Sequence, residues 1–148
     1  MTNDRHQKIL EDTILNVFED MYYMFPEKIH SYEQFSFPLA VFSTNVLFCE
    51  NQKQFFLYAD KRLVAKMAKN FLGEEKDFNL DELNDIFREA SNVIVGNFIS
   101  ATNIAPDIRF QIPVITEARI DECDTDCSYD IDLFYIIEND FFRIALKG

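Results

Sequence analysis

Hydrophobic residues in the first stretch of the chain recur at helical spacing. Ile14, Phe18, Met21 and Phe25 fall on one face, and Pro26 bars continuation, which predicts an amphipathic helix over 4–25. Residues 27–34 are polar and without period. The next stretch, 35–49, is rich in Phe, Val and Leu, and 55–59 has the same character, with Glu50, Asn51 and Gln52 between them. Residues of this kind suit a pleated, half-buried surface, so 46–49 and 55–59 read as a hairpin.

Two helices follow, and their ends are written in capping chemistry. Asp60 stands as the N-cap and Gly73 as the C-terminal residue of a short helix that buries Leu63, Met67 and Phe71. Asn79 and Glu82 then form the two halves of a capping box, with Phe78 and Leu83 placed as its hydrophobic staple. A long helix therefore starts at Leu80, and nothing interrupts its pattern until about Asn103, with Pro106 just beyond.

After Pro106, alternation of Ile108, Phe110, Ile112 and Val114 predicts a strand that Pro113 confines to an edge or a bulge. A second alternating run spans 124–133, with Asp124, Asp126, Asp130 and Asp132 on one side and Cys127, Tyr129, Ile131 and Leu133 on the other. It continues through 134–137, turns at 138–140 and returns as a last strand over 141–146. The expected architecture is α/β in layers (α+β), a largely antiparallel sheet covered by three helices.

Composition narrows the class. The 148 residues match one domain, and 48% hydrophobic residues with sixteen Phe supply a core. A formal net charge of -12 argues against nucleic acid or an anionic membrane as the main partner, since both are bound through clustered Lys and Arg. No stretch approaches the roughly 20 apolar residues of a membrane span, and the polar start MTNDRHQK does not read as a signal peptide. Cys49, Cys123 and Cys127 are odd in number, as expected of reduced thiols in a cytoplasmic protein. No zinc spacing is present. The acidic run 121–132 fails as a calcium loop, because Tyr129 stands where such a loop needs Gly and Tyr135 where it needs Glu.

The chemistry concentrates on the long helix. Asp85, Glu89 and Asn92 stand at i, i+4 and i+7, and Gly96 at i+11 extends the same stripe. Leu83, Ile86, Phe87, Ala90, Ile94, Phe98 and Ala101 occupy the opposite side, which predicts that the acid-amide pair faces solvent. Two residues break the helix rules nearby. Gly96 costs about 1 kcal/mol against Ala in a helix interior, and Asn97 falls among apolar positions, where an amide must find partners.

The segment DIFREASNVIVGN resembles the signature of the CheC, CheX and FliY phosphatases, an acidic or Ser residue followed by E-x-x-N and then Gly-Asn. Asp85, Glu89, Asn92, Gly96 and Asn97 match it. The preceding FLGEEKDFNLDEL and Pro113 in QIPVI are also similar, so the likeness covers about 63–114. The glycines that the family often carries in the hairpin before its short helix are missing here, and the acidic run 121–132 matches no part of the resemblance. CheC-like members repeat the motif on their first helix. Here Glu11 and Asn16 have the wrong spacing, which implies one active site per chain, as in CheX.

The resemblance implies a phosphatase acting on the phospho-aspartate of a CheY-like response regulator. Asn92 would orient the attacking water, an amide being both donor and acceptor, and Glu89 would pair with the regulator's active-site Lys. Asp85 and Gly96 would serve partner binding. No metal or cofactor of the chain's own is expected, magnesium being supplied by the regulator. Relatives of this type pair through their sheets, so a homodimer is expected. The alternative is a non-catalytic module that binds a regulator or a flagellar-switch component, because one fold serves both ends.

Overall fold

A computed structural model describes residues 2–30, 40–47, 54–102, 116–119 and 129–147, with side chains throughout except at 2, 3, 40–47 and 116–119. The elements run α1 (Thr2–Tyr22), β1 (Glu27–Ile29), β2 (Ala40–Leu47), β3 (Gln54–Asp60), α2 (Lys61–Leu72), α3 (Leu80–Thr102), β4 (Thr116–Arg119), β5 (Ile131–Ile137) and β6 (Asp140–Lys147). Six strands form one sheet in the order β1-β5-β6-β3-β2-β4. Every pairing is antiparallel.

The core lies between one face of the sheet and the helices. Phe55, Leu57 and Ala59 of β3, Ile131, Leu133, Tyr135 and Ile137 of β5, and Phe142, Ile144 and Leu146 of β6 point the same way because side chains alternate along a strand. They meet Leu10, Ile14 and Phe18 of α1, Leu63 and Met67 of α2, and Ile94 and Phe98 of α3. The layered α+β architecture expected from the sequence is the one observed.

The opposite sheet face is organised by a charge. Arg143 is 1% exposed, and its guanidinium lies 5.4, 5.3 and 4.9 Å from the ring centroids of Tyr58, Tyr129 and Phe134. Two prongs reach Asp132, Nε to Oδ1 at 2.9 Å and Nη2 to Oδ2 at 2.8 Å. A planar fork matched to a carboxylate and stacked on rings is how a guanidinium is buried without an orphaned charge.

The caps read from the sequence are in place. Asp60 accepts from the Arg62 N–H at 3.0 Å, and Gly73 ends α2 in the left-handed region at φ 67°. Asn79 Oδ1 accepts from the Glu82 N–H at 2.9 Å while Glu82 Oε1 accepts from the Asn79 N–H at 3.1 Å. The hairpin register runs through Val46↔Phe55 and Leu47↔Gln54.

Several expectations need correction. Helix α1 stops at Tyr22, because Tyr23 turns left-handed at φ 57°, and this swings Phe25 out to 71% exposure instead of into the core. Residues 27–29 are a short edge strand, paired Glu27↔Ile136 to Ile29↔Phe134, too brief and polar to show a period. Phe71 is 47% exposed, since α2 ends beside it and its last turn overruns the core. Ala101 and Asn97 are both exposed, so α3 buries Ser91, Val95 and Ile99 instead, and the Asn97 amide is solvated. The expected strand over 108–114 with Pro113, the residues 35–39, Asp124 and Asp126, and all three cysteines lie outside the described residues.

Candidate functional site

Helix α3 carries the acid-amide stripe along its outer side. With Leu83, Ile86, Phe87, Ala90, Ile94 and Phe98 held in the core, the rotation of the helix leaves Asp85, Glu89 and Asn92 exposed and Gly96 half-buried. Packing of that apolar face sets the rotation, and Ser91 is tolerated within it because its hydroxyl donates to the Phe87 carbonyl at 2.8 Å inside the helix.

Each member of the stripe has a distinct environment. Asp85 is within 3.5 Å of Arg88, one turn away. The side chains of Glu89 and Asn92 make no hydrogen bond or ion pair with any described residue, so a carboxylate and an amide stand ready for an outside partner. At Gly96 a Cβ would meet no atom within 4 Å, so nothing inside the chain requires glycine there. The structure therefore brings Asp85, Glu89, Asn92 and Gly96 together as the spacing predicts and removes Asn97 from the list of anomalies.

Sequence reasoning missed what lies behind Glu89. Tyr22, at the end of α1, is 1% exposed, and burial, then the Glu89 charge, pushes its phenol well above the ordinary range. His6 packs edge-on against Phe98 at 6.0 Å near the other end, so α1 runs antiparallel to α3 and brings its C-terminus to the level of Glu89. Helical periodicity places Tyr22 on a buried face but says nothing about which helix it meets.

Among the described residues no three His, Cys, Asp or Glu side chains gather as metal ligands. None of their helices is long and apolar enough to cross a membrane. An exposed Glu and Asn, three residues apart on a rigid helix, can insert into a partner's site and there pair with a cation and orient a water.

Comparison with known proteins identifies the fold and the family. CheX from Vibrio vulnificus superposes with a TM-score of 0.72 at 15% identity, covering 96% of each chain. A chemotaxis protein CheX from Desulfovibrio desulfuricans gives 0.70 at 16%, covering 96% of this chain and 97% of that one. The CheX-CheY-BeF3-Mg complex from Borrelia burgdorferi gives 0.63 at 14%, covering 95% and 97%. Such identities show the fold. No curated protein matches the sequence. A family profile described as chemotaxis phosphatase CheX matches residues 50–128, more than half of the 148, and the whole Asp85–Glu89–Asn92–Gly96 stripe lies within that span. The chain belongs to the chemotaxis phosphatase CheX family.

Proposed function

We propose that the chain dephosphorylates the phospho-aspartate of a CheY-like response regulator, with Asn92 and Glu89 as its working groups. The observation that carries this is the solvent-facing Glu89–Asn92 pair, whose side chains make no hydrogen bond or ion pair with any described residue, inside the span that matches a phosphatase family. A relative of the same fold is known in complex with CheY, BeF3 and magnesium.

The chemistry suits so sparse a site. Hydrolysis of an acyl phosphate breaks the bond between phosphorus and the aspartyl oxygen. Water supplies the new P–O bond, and its proton leaves with phosphate or solvent. Phosphoryl transfer asks mainly for positioning and charge stabilisation. Asn92 accepts a hydrogen bond from the water and donates another, aligning it opposite the leaving carboxylate. Glu89 pairs with a regulator lysine and sets the register of docking. Asp85 flanks them, and Gly96 leaves room one turn beyond Asn92. Magnesium belongs to the regulator, so the chain needs no cofactor of its own, and the reaction belongs in the cytoplasm with its substrate.

Among the described strands β1 and β4 lie at the two ends of the sheet, and an edge strand of this kind is where two copies would pair as a homodimer. Light scattering at micromolar concentration checks that pairing; a monomer throughout removes it. The phosphatase reading is tested by phosphate release from the organism's own phosphorylated regulators. Release that is accelerated by the wild-type chain and lost in Asn92→Ala supports it. Binding without any acceleration would leave a regulator-binding module.

A further inference from the structure

Helices α1 and α2 end side by side. Asn70 Nδ2 donates to the Tyr22 carbonyl at 2.8 Å, and the Tyr22 and Phe71 ring centroids stand 5.9 Å apart. The same Tyr22 feels the Glu89 charge. With His6 against Phe98 at the other end, α1 runs antiparallel to α3 and its C-terminal end, with the end of α2 beside it, borders the half of α3 that carries Glu89.

This junction is unusually apolar for a surface. Six large hydrophobic side chains are exposed among the described residues, and four of them, Tyr23 at 70%, Phe25 at 71%, Phe71 at 47% and Leu72 at 46%, lie here. Clustered exposed apolar residues mark interaction surfaces, whereas isolated ones need no explanation.

The backbone adds an independent observation. Both helices end with a left-handed residue, Gly73 at φ 67° after α2 and Tyr23 at φ 57° after α1. Glycine is the favoured residue at such a position, and a side chain there costs about 1 kcal/mol. The turn is held within the fold, where the Met24 N–H donates to the Phe18 carbonyl at 3.0 Å and Met24 is fully buried, while the Tyr23 ring stays mostly in solvent. The fold thus accounts for the backbone at Tyr23 but leaves its ring uncovered beside the other exposed apolar side chains.

Interface size identifies the occupant. A specific complex buries about 800 Å² on each partner, through roughly 20 residues or more, with aromatic side chains as frequent anchors. Four stripe residues cannot supply that area, and a regulator covering Glu89 must also cover what adjoins it. A second copy of the chain seated here would obstruct the same stripe.

We propose that Tyr23, Phe25, Phe71 and Leu72 form an apolar docking surface for the response regulator, receiving an apolar part of its surface beside the phosphorylated aspartate. The inference rests on the phosphatase reading above. It assigns the apolar part of docking to the ends of α1 and α2, beside the charge contact of Glu89 and the chemistry of Asn92 on α3.

The test is a titration of Phe25→Ser/Leu72→Ser, and separately of Tyr23→Asn, against the organism's CheY-like regulator loaded with beryllofluoride and magnesium. Asn tolerates the left-handed backbone, so Tyr23→Asn should melt no lower than wild type while binding more weakly, which separates docking from folding. The double variant should raise Kd at least about tenfold, equally at low and high salt, as loss of apolar contact requires. Unchanged affinity in both, with wild type binding and releasing phosphate, overturns the docking surface alone. A wild-type chain that neither binds nor dephosphorylates the regulator overturns the phosphatase reading with it. A shift from dimer to monomer in the variants, with regulator affinity intact, assigns the surface to a second copy and also overturns the proposal.

Discussion

Asp60 and Asp140, the last residue of β3 and the first of β6, are buried at the start of α2 and share one guanidinium. Arg62 Nη2 lies 3.3 Å from Asp60 Oδ2 and its Nε 3.3 Å from Asp140 Oδ1. Lys66 Nζ is 2.8 Å from Asp140 Oδ2, a contact of charge rather than an aligned hydrogen bond, and it donates to the Glu138 carbonyl at 2.8 Å. The cluster ties the first turn of α2 to the β5–β6 turn. Both cations are largely in water, so they compensate the buried carboxylates only in part.

That imbalance sets a pH dependence. Burial, with the Asp140 charge adding to it, holds the Asp60 carboxyl above its ordinary value of 3.8, against the N–H of Arg62. A carboxyl whose folded-state pKa is raised stabilises the fold fully below the unfolded value and loses that contribution as pH rises through the folded value. Asp60→Asn keeps a good N-cap and removes the titration. Relative to wild type, its unfolding free energy from urea melts should therefore be higher at about pH 7 than at about pH 3.5. A difference that instead shrinks toward neutral pH would mean that the ion pair with Arg62 outweighs burial.

Gly96 should separate stability from function. Its Cβ position is empty to 4 Å, so Gly96→Ala meets no clash and gains helix propensity, about 1 kcal/mol of stability. Under the phosphatase reading the same methyl projects toward the regulator beside Asn92. A raised melting temperature with lowered kcat/KM is the expected pair of results, measured by calorimetry and phosphate release. Full activity in the alanine variant would show that the partner does not approach there.

How legible this protein was depends on the range of each interaction. Asp60, Gly73, Asn79 and Glu82 act within a turn of their own positions, so the boundaries of α2 and the start of α3 could be read directly. Alternation also exposed β5, whose Ile131, Leu133, Tyr135 and Ile137 face the core and alternate with half-buried residues. In β6 the residues from Asp140 to Leu146 are all buried, because Arg143 and its aromatic neighbours cover the second face, and no period survives. Phe25 and Phe71 continue helical stripes perfectly well in sequence. Only the left-handed turn at Tyr23 and the end of α2 put them in solvent, and neither could be read from spacing. The Asp85, Glu89 and Asn92 stripe followed from 3.6 residues per turn, but its chemistry came from the family resemblance, since an exposed acid and amide are common on any surface helix.

Glu89 and Asn92 share a stripe and should nevertheless fail in different ways. Asn92 carries no charge, and its work is done on a water already inside the complex. Asn92→Ala should therefore leave affinity for a beryllofluoride-loaded regulator nearly intact and lower the single-turnover rate by about 10²-fold, the scale of releasing a positioned reactant. Glu89 acts by charge from a solvent-exposed position. Glu89→Ala should weaken docking, and the deficit relative to wild type should narrow as ionic strength rises, because salt screens the pair in the wild type. Asp85, already close to Arg88, should matter less than either when replaced by Ala. The measurement is a salt series of titrations for each variant beside single-turnover dephosphorylation. An Asn92→Ala protein that releases phosphate at the wild-type rate would remove Asn92 from the chemistry. A Glu89→Ala deficit that does not change with salt would show that Glu89 acts by shape rather than charge.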